Sequence, residues 1–164
     1  MTGVEIGLEG VAALDAFLEV VEEAATWLWQ RGIRQWEPGT NRAQRAWLAR
    51  CVAHGGLVVA RAGGELVGGC VATTFAVPAW NARREPALYV AKLAVKRTHA
   101  GCGVATRILG ACEKHARATG HTRLRLDCWE GNARLRSYYR DAGYAELEAV
   151  AEHGYEVRLF ERAL

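Results

Sequence analysis

A chain of 164 residues, 51% apolar and 24% charged, has the size and composition of one globular domain and can bury a sizeable core. Its formal net charge of +3 is small and the signs alternate along the chain, which argues against a nucleic-acid or membrane-surface partner. Its five cysteines (Cys51, Cys70, Cys102, Cys112 and Cys128) are widely spaced with no Cys-x-x-Cys pair, which points away from a zinc cage or a redox motif and reads as free thiols in a reducing cytosol. The five histidines show no ligand spacing, so no metal is expected. The first residues carry Glu5 and Glu9 rather than a basic run, unlike a signal peptide, and the uncharged stretch at 66–82 is too short and too broken to span a membrane. The expected location is cytoplasmic.

Residues 4–8 alternate weakly and predict a short strand. Leu14, Phe17, Leu18, Val21, Ala25 and Leu28 then recur at helical spacing, with Glu19, Glu22 and Glu23 on the opposite face and Gly32 as a C-terminal cap. A loop over 33–40 holds Trp36, and Asn41 is placed to cap a second helix carrying Ala43, Trp47, Leu48 and Cys51. Strands at 57–62 and 65–75 flank Gly63-Gly64, a two-residue hairpin turn. The loop at 77–86 is polar except for Trp80.

The stretch from 88 to 109 organises the rest. An apolar, β-branched strand (88–95) leads through a polar link into Ala100-Gly101-Cys102-Gly103-Val104-Ala105, then a helix expected to run to about Thr119. Glycine lets backbone N–H groups approach an anion, the first helical N–H groups lack partners, and the helix dipole adds positive charge. The same pattern also serves a plain strand–helix connection. Three-glycine spacing is absent, as is Gly-Lys-Ser/Thr, so neither a dinucleotide fingerprint nor a P-loop fits. A strand at 123–128, a helix opened by Gly131-Asn132 and ended by Gly143, and strands at 144–150 and 155–160 complete the chain. The order β-α-α-β-β-β-α-β-α-β-β predicts one α/β domain over 1–164 with a mixed sheet flanked by helices. The strand at 88–95 should run parallel to that at 123–128.

Two segments together resemble the GCN5-related N-acetyltransferases. Their pyrophosphate loop, Arg/Gln-x-x-Gly-x-Gly/Ala after a strand, is matched by Ala100 to Ala105. Their later segment, Asn, six residues, then Tyr-x-x-x-Gly-Phe/Tyr, is matched by Asn132 and by Tyr139 to Tyr144. The first loop position departs, being Ala100, with Arg97 or His99 as substitutes for the missing contact. The resemblance implies acetyl-CoA (coenzyme A) as donor and the primary amine of a small molecule as acceptor, by direct attack in a ternary complex. A non-catalytic CoA-binding module, a sensor or partner subunit, is the alternative that Ala100 supports.

For that reaction the pyrophosphate needs donors, and Gly101, Cys102, Gly103, Val104, Ala105 and Thr106 are the candidates. The pantetheine arm would pair with the strand edge at Leu93, Ala94 and Val95, where a backbone N–H of Leu93 or Ala94 faces the thioester oxygen. Tyr139 is the implied acid for the leaving thiolate, and Asn132, two helical turns earlier, a cofactor contact or simply a helix N-cap. One of Tyr138 and Tyr139 should pack in the core. Trp36 and Trp80 form an aromatic wall for the acceptor, or else pack inward. Glu37, Glu85, Glu130 and Glu152 are loop carboxylates that could take the amine's proton. Cys102 reads as a small loop residue rather than a nucleophile. The two C-terminal strands are candidates to pair across a homodimer.

Overall fold

The apolar stripe on residues 14–29 sets the first layer. Leu14, Phe17, Leu18 and Val21 are buried to 1% exposure or less, while Asp15, Glu19 and Glu23 face solvent. In the computed structural model, which describes residues 3–75, 77–83 and 85–164, this segment is helix α1 (Leu14–Trp29). It lies with α2 (Arg45–Ala53) on one face of a sheet, packing on Leu57, Val59 and Val71. On the other face, α3 (Val104–Ala118) and α4 (Ala133–Asp141) bury Val104, Ile108, Leu109, Cys112 and Tyr139 against Val58, Ala60, Leu88, Leu124, Leu126 and Phe160.

The sheet has strands β1 (Val4–Glu9), β2 (Gly55–Ala62), β3 (Glu65–Thr73), β4 (Leu88–Val95), β5 (Arg123–Trp129), β6 (Ala145–Glu152) and β7 (Tyr155–Ala163). Their spatial order is β1-β2-β3-β4-β5-β7-β6, with β4 and β5 parallel and the other neighbours antiparallel. The element order is the one expected, a mixed sheet between helices. The β2–β3 turn falls on Gly63 and Gly64, with φ of +56° and +86°, the two positive values a type I′ turn requires.

Several boundaries differ from expectation, among them the end of β3 at Thr73 rather than residue 75. β2 starts two residues earlier, and the final hairpin is longer, running to Ala163. Asn41 does not cap α2. It begins a short 3₁₀ turn (Asn41–Gln44), because its side chain is drawn away to Lys92, and α2 starts only at Arg45. No described helix is long and apolar enough to cross a membrane.

Candidate functional site

The sheet opens at one place. β4 and β5 pair only at Leu88↔Leu124 and Tyr89↔Arg125, and beyond these residues the strands part. Antiparallel pairing to β3 continues along β4 to Gly68↔Val95. The β5-facing backbone groups at 91–95, which include Leu93, Ala94 and Val95, are therefore left without a strand partner. A bulge falls in this half of β4: Ala91 pairs with Val71 and Ala94 with Gly69, so β4 carries one extra residue. Lys92 sits there with φ of +60°, uncommon for a residue with a side chain.

The glycine turn lies at the same end of β4. Gly101 and Gly103 both have φ of +75°, and a Cβ at either would meet nothing within 4 Å, so the loop surface is open. Gly103 is the N-cap of α3 and no side chain caps the helix, which leaves its first N–H groups available to an external anion. Cys102 is exposed, its thiol 3.7 Å from the Ala100 carbonyl. The Thr106 hydroxyl is engaged by the Tyr138 hydroxyl at 2.9 Å. Of the two substitutes for Ala100, Arg97 lies over the Trp27 ring at 3.7 Å and His99 Nδ1 meets Thr98 Oγ1 at 2.9 Å.

Tyr139 lies on α4, 4% exposed, with its ring 5.3 Å from Phe160, 5.6 Å from Tyr138 and 6.0 Å from Tyr144. Burial, reinforced by the neighbouring Cys128 and Asp127, pushes its phenol well above the usual value, so it holds its proton at neutral pH. Among described residues the sealed, unpartnered side-chain atoms are Trp80 Nε1 and Tyr144 OH, and the Tyr139 hydroxyl is not one of them. Asn132 caps α4, accepting the Leu135 N–H at 3.2 Å. Ion pairs anchor α4: Glu146 accepts from Arg136 at 2.8 Å and Arg140 at 2.7 Å, and Glu130 from Arg136 at 3.3 Å.

On the opposite face of the opening the two tryptophans separate. Trp36 is half-buried beside Lys92, whose Nζ is 5.2 Å from the ring centroid. Trp80 is corrected: it is fully buried, under the Arg125 guanidinium at 4.8 Å and beside Tyr89 at 6.1 Å, so it is core and not a wall open to a substrate. The loop turns it inward because Val77, Ala87, Val157 and Leu159 build a third apolar cluster there.

Of the four loop carboxylates, Glu85 is paired with Arg125 and Glu130 with Arg158 and Arg136. Glu37 is exposed, and its carbonyl accepts from Thr40 and Asn41. Glu152 stands at the end of β6, close enough to Asp127 for its charge to act on it. Two residues escaped sequence reasoning. Lys92 donates to Asn41 Oδ1 at 2.9 Å, and burial pulls its ammonium down to about 8. Burial, with Glu152, pushes the Asp127 carboxyl up to about 7, and Lys92 opposes the rise. The period of two in β5 held a signal: Leu124, Leu126 and Cys128 point into one core, so Arg125 and Asp127 share the other face.

Two surface clefts of about 480 Å³ each lie to the sides. One is lined by Thr74, Asn81, Arg83, Glu85 and Tyr89, the other by Glu19, Glu22, Glu23, Trp27 and Arg97. Neither is lined by Tyr139 or Asp127. Lys92 and Asp127 stand instead where β4 and β5 part.

Comparison with known proteins gives a consistent picture. The model of the acetyltransferase (GNAT) family matches residues 21–144. The N-acetyltransferase YesJ of Bacillus subtilis (strain 168), itself uncharacterized, is 31% identical over 149 residues, covering 85% of this chain and 79% of that protein. Among solved structures, a GNAT-family acetyltransferase from Listeria monocytogenes 4b F2365 superposes with a TM-score of 0.76 at 16% identity, covering 98% of this chain and 95% of that one. PaiA N-acetyltransferase from Thermoplasma acidophilum, solved in complex with coenzyme A, gives 0.73 at 16% identity and 99% coverage of both chains. YncA of Salmonella typhimurium, solved with acetyl-CoA, gives 0.72 at 15% identity, covering 98% of this chain and 94% of that one.

Proposed function

The chain belongs to the GNAT acetyltransferase family, and from that premise we propose that it moves an acetyl group from acetyl-CoA to the primary amine of a small molecule by direct attack in a ternary complex. One observation carries this reading: β4 and β5 part directly before the uncapped, glycine-led N-terminus of α3, with Tyr139 on one side of the gap.

Acetyl-CoA supplies an activated acyl thioester and an anionic pyrophosphate. The residues present fit both. The N–H groups of Gly101, Cys102, Gly103, Val104, Ala105 and Thr106 hold the pyrophosphate, helped by the helix dipole. The Thr106 hydroxyl meets the Tyr138 hydroxyl at 2.9 Å, and with Tyr138 as donor its own proton is free to join the backbone on the pyrophosphate. Leu93, Ala94 and Val95 offer a strand edge to an amide-rich arm, and a backbone N–H at Leu93 or Ala94 stabilises an oxyanion. Tyr139 keeps its proton until a thiolate of pKa near ~8.5 leaves, then donates it. Asn132 holds the start of α4 and so sets where Tyr139 stands. Trp36 borders the acceptor side.

The test is melting of the purified protein with excess acetyl-CoA, beside ATP and NAD, followed by free-thiol release with primary amines. Ligand at about 100 times its Kd adds about 2.7 kcal/mol, which raises Tm by about 5–10 °C at this size. Such a shift for acetyl-CoA alone, followed by amine-dependent thiol release, supports the reading. No shift in folded protein overturns the cofactor assignment. A shift without release from any amine leaves a CoA-binding module.

A further inference from the structure

Resting on the acetyltransferase reading, we infer that the mouth of the β4–β5 opening is a subsite for an acceptor carrying both a primary amine and an anionic group, with Asp127 receiving the amine and Lys92 the anion. The first argument is place. Lys92 lies three residues beyond Tyr89 and Asp127 two beyond Arg125, the last paired positions of their strands. The two side chains therefore stand on the facing lips of the gap. The β4 bulge, with its positive φ at Lys92, takes that side chain across to Asn41 and the Trp36 ring. A side-chain-bearing residue held in this region is a feature of functional sites rather than of ordinary strands.

The second argument is what each charge lacks. Lys92 is met by neutral partners, Asn41 Oδ1 and the Trp36 ring. An ammonium has three donors, and Asn41 uses one. Glu22 acts on Lys92 through its charge, but its carboxylate is already taken by the Gly39 N–H at 2.8 Å and the Asn41 N–H at 3.2 Å. Asp127 has no hydrogen bond or salt bridge to any described residue, whereas Glu9, Glu85, Glu130, Glu146 and Glu161 each pair with an arginine. Lys92 and Asp127 feel each other's charge, yet form no salt bridge within 4.0 Å. Two opposite, half-buried charges that face one another without closing leave room for a molecule that satisfies both. Glu152, from the β6–β7 hairpin, acts on the Asp127 side and adds negative charge where an ammonium would sit.

The chemistry agrees with the placement. An amine arrives protonated and cannot attack until it loses that proton. Asp127, with its carboxyl pushed up to about 7, is matched to accept it near neutral pH. The freed nitrogen lone pair forms the C–N bond as the C–S bond breaks, the departing sulfur takes the Tyr139 proton, the new amide nitrogen sheds its second proton through solvent to restore the Tyr139 hydroxyl, and Asp127 returns its own to solvent. Tyr139 lies with the α3/α4 core and Asp127 on the α1/α2 face, so acid and base address the gap from opposite sides.

The experiment compares matched acceptors: a short amino acid, the same molecule with its carboxylate as a primary amide, the corresponding aminophosphonate, and the alkylamine without either group. Thiol release from acetyl-CoA is expected to show kcat/KM at least about tenfold higher for the two anionic acceptors than for the amide or alkylamine, a difference of about 1.4 kcal/mol. Lys92→Met should bring that ratio to near one through KM, and Lys92→Arg should retain it. Equal rates for amide and acid, or a ratio that Lys92→Met leaves standing, overturns the subsite. A separate binding readout keeps the two proposals distinguishable: melting of the CoA-loaded protein with each acceptor. Preferential stabilisation by the acids without thiol release would support the subsite and defeat the transferase reading. Release from every amine alike, with no preference in melting, would do the reverse.

Discussion

The two ends of the β4–β5 pair treat charge in opposite ways. At the closed end Arg125 is fully buried, and every face of its guanidinium is used. Its Nε donates to Glu161 at 2.7 Å, its Nη atoms to the Glu85 carboxylate at 3.1 Å and to the Glu85 carbonyl and Tyr89 hydroxyl at 3.2 Å, and the Trp80 ring lies beneath. Two residues further along the same face of β5, Asp127 has no partner, and Lys92 opposite has a single neutral hydrogen bond. The strand pairing explains the contrast. Where the ladder is closed, neighbouring chains bring acceptors to the cation. Where it opens, nothing within the protein can cross the gap. A satisfied buried ion serves the fold, while an unsatisfied, half-buried one costs stability and is available to a ligand.

The largest effect should come from breaking the closed end. Arg125→Met removes a buried cation and leaves Glu161 with Arg123 as its remaining partner, which is expected to cost about 3 kcal/mol, or about 10 °C in Tm. Urea and thermal unfolding measure it, and a loss under about 1 °C would mean that this end is not held by its ion network. The open end should respond in rate instead. Tyr139→Phe keeps the ring packing on Phe160 and removes only the hydroxyl. Its kcat should fall about 100-fold, close to 2.7 kcal/mol of barrier, with the melting shift produced by acetyl-CoA preserved. An unchanged kcat would remove the acid role from Tyr139.

Much of the fold around this contrast was legible in the sequence. Hydrophobic period placed the strands and helices, because each buries one face. Glycines marked their ends where a positive φ was required, as at Gly63, Gly103 and Gly120. The spacing of Asn132 and Tyr139 put both on one helix, and the structure brings that helix against the β5 core. Trp80 was not legible as core, because loop position does not reveal whether an aromatic ring turns inward. Asn41 reads as a cap by residue type, but a long-range partner, Lys92, outbids the local helix. Asp127 and Lys92 escaped for a different reason. Each sits in an otherwise ordinary strand, and only the parting of β4 from β5, a long-range property, turns them into facing charges.

The smallest predicted effect tests the open end most directly. The Asp127 carboxyl titrates near 7 in the folded protein and near ~3.9 in an unfolded chain. Between these values the folded state binds more protons than the unfolded one, so the stability contributed by this group is fully present below pH about 4 and is lost as pH rises through 7. Asp127→Asn removes that fall. Discounted for partial exposure and for the attraction of Lys92, the variant should melt about 3–5 °C above the parent at pH 8, a gain of about 1–2 kcal/mol. The gain should vanish toward pH 4, where the parent carboxyl is neutral in the folded state. Arg125→Met should lose stability at both pH values, because the hydrogen bond to the Glu85 carbonyl is lost whatever the pH. If Asp127→Asn is instead less stable than the parent at pH 8, the carboxylate is being held by the protein as Arg125 is, and the two ends of the strand pair do not differ in kind.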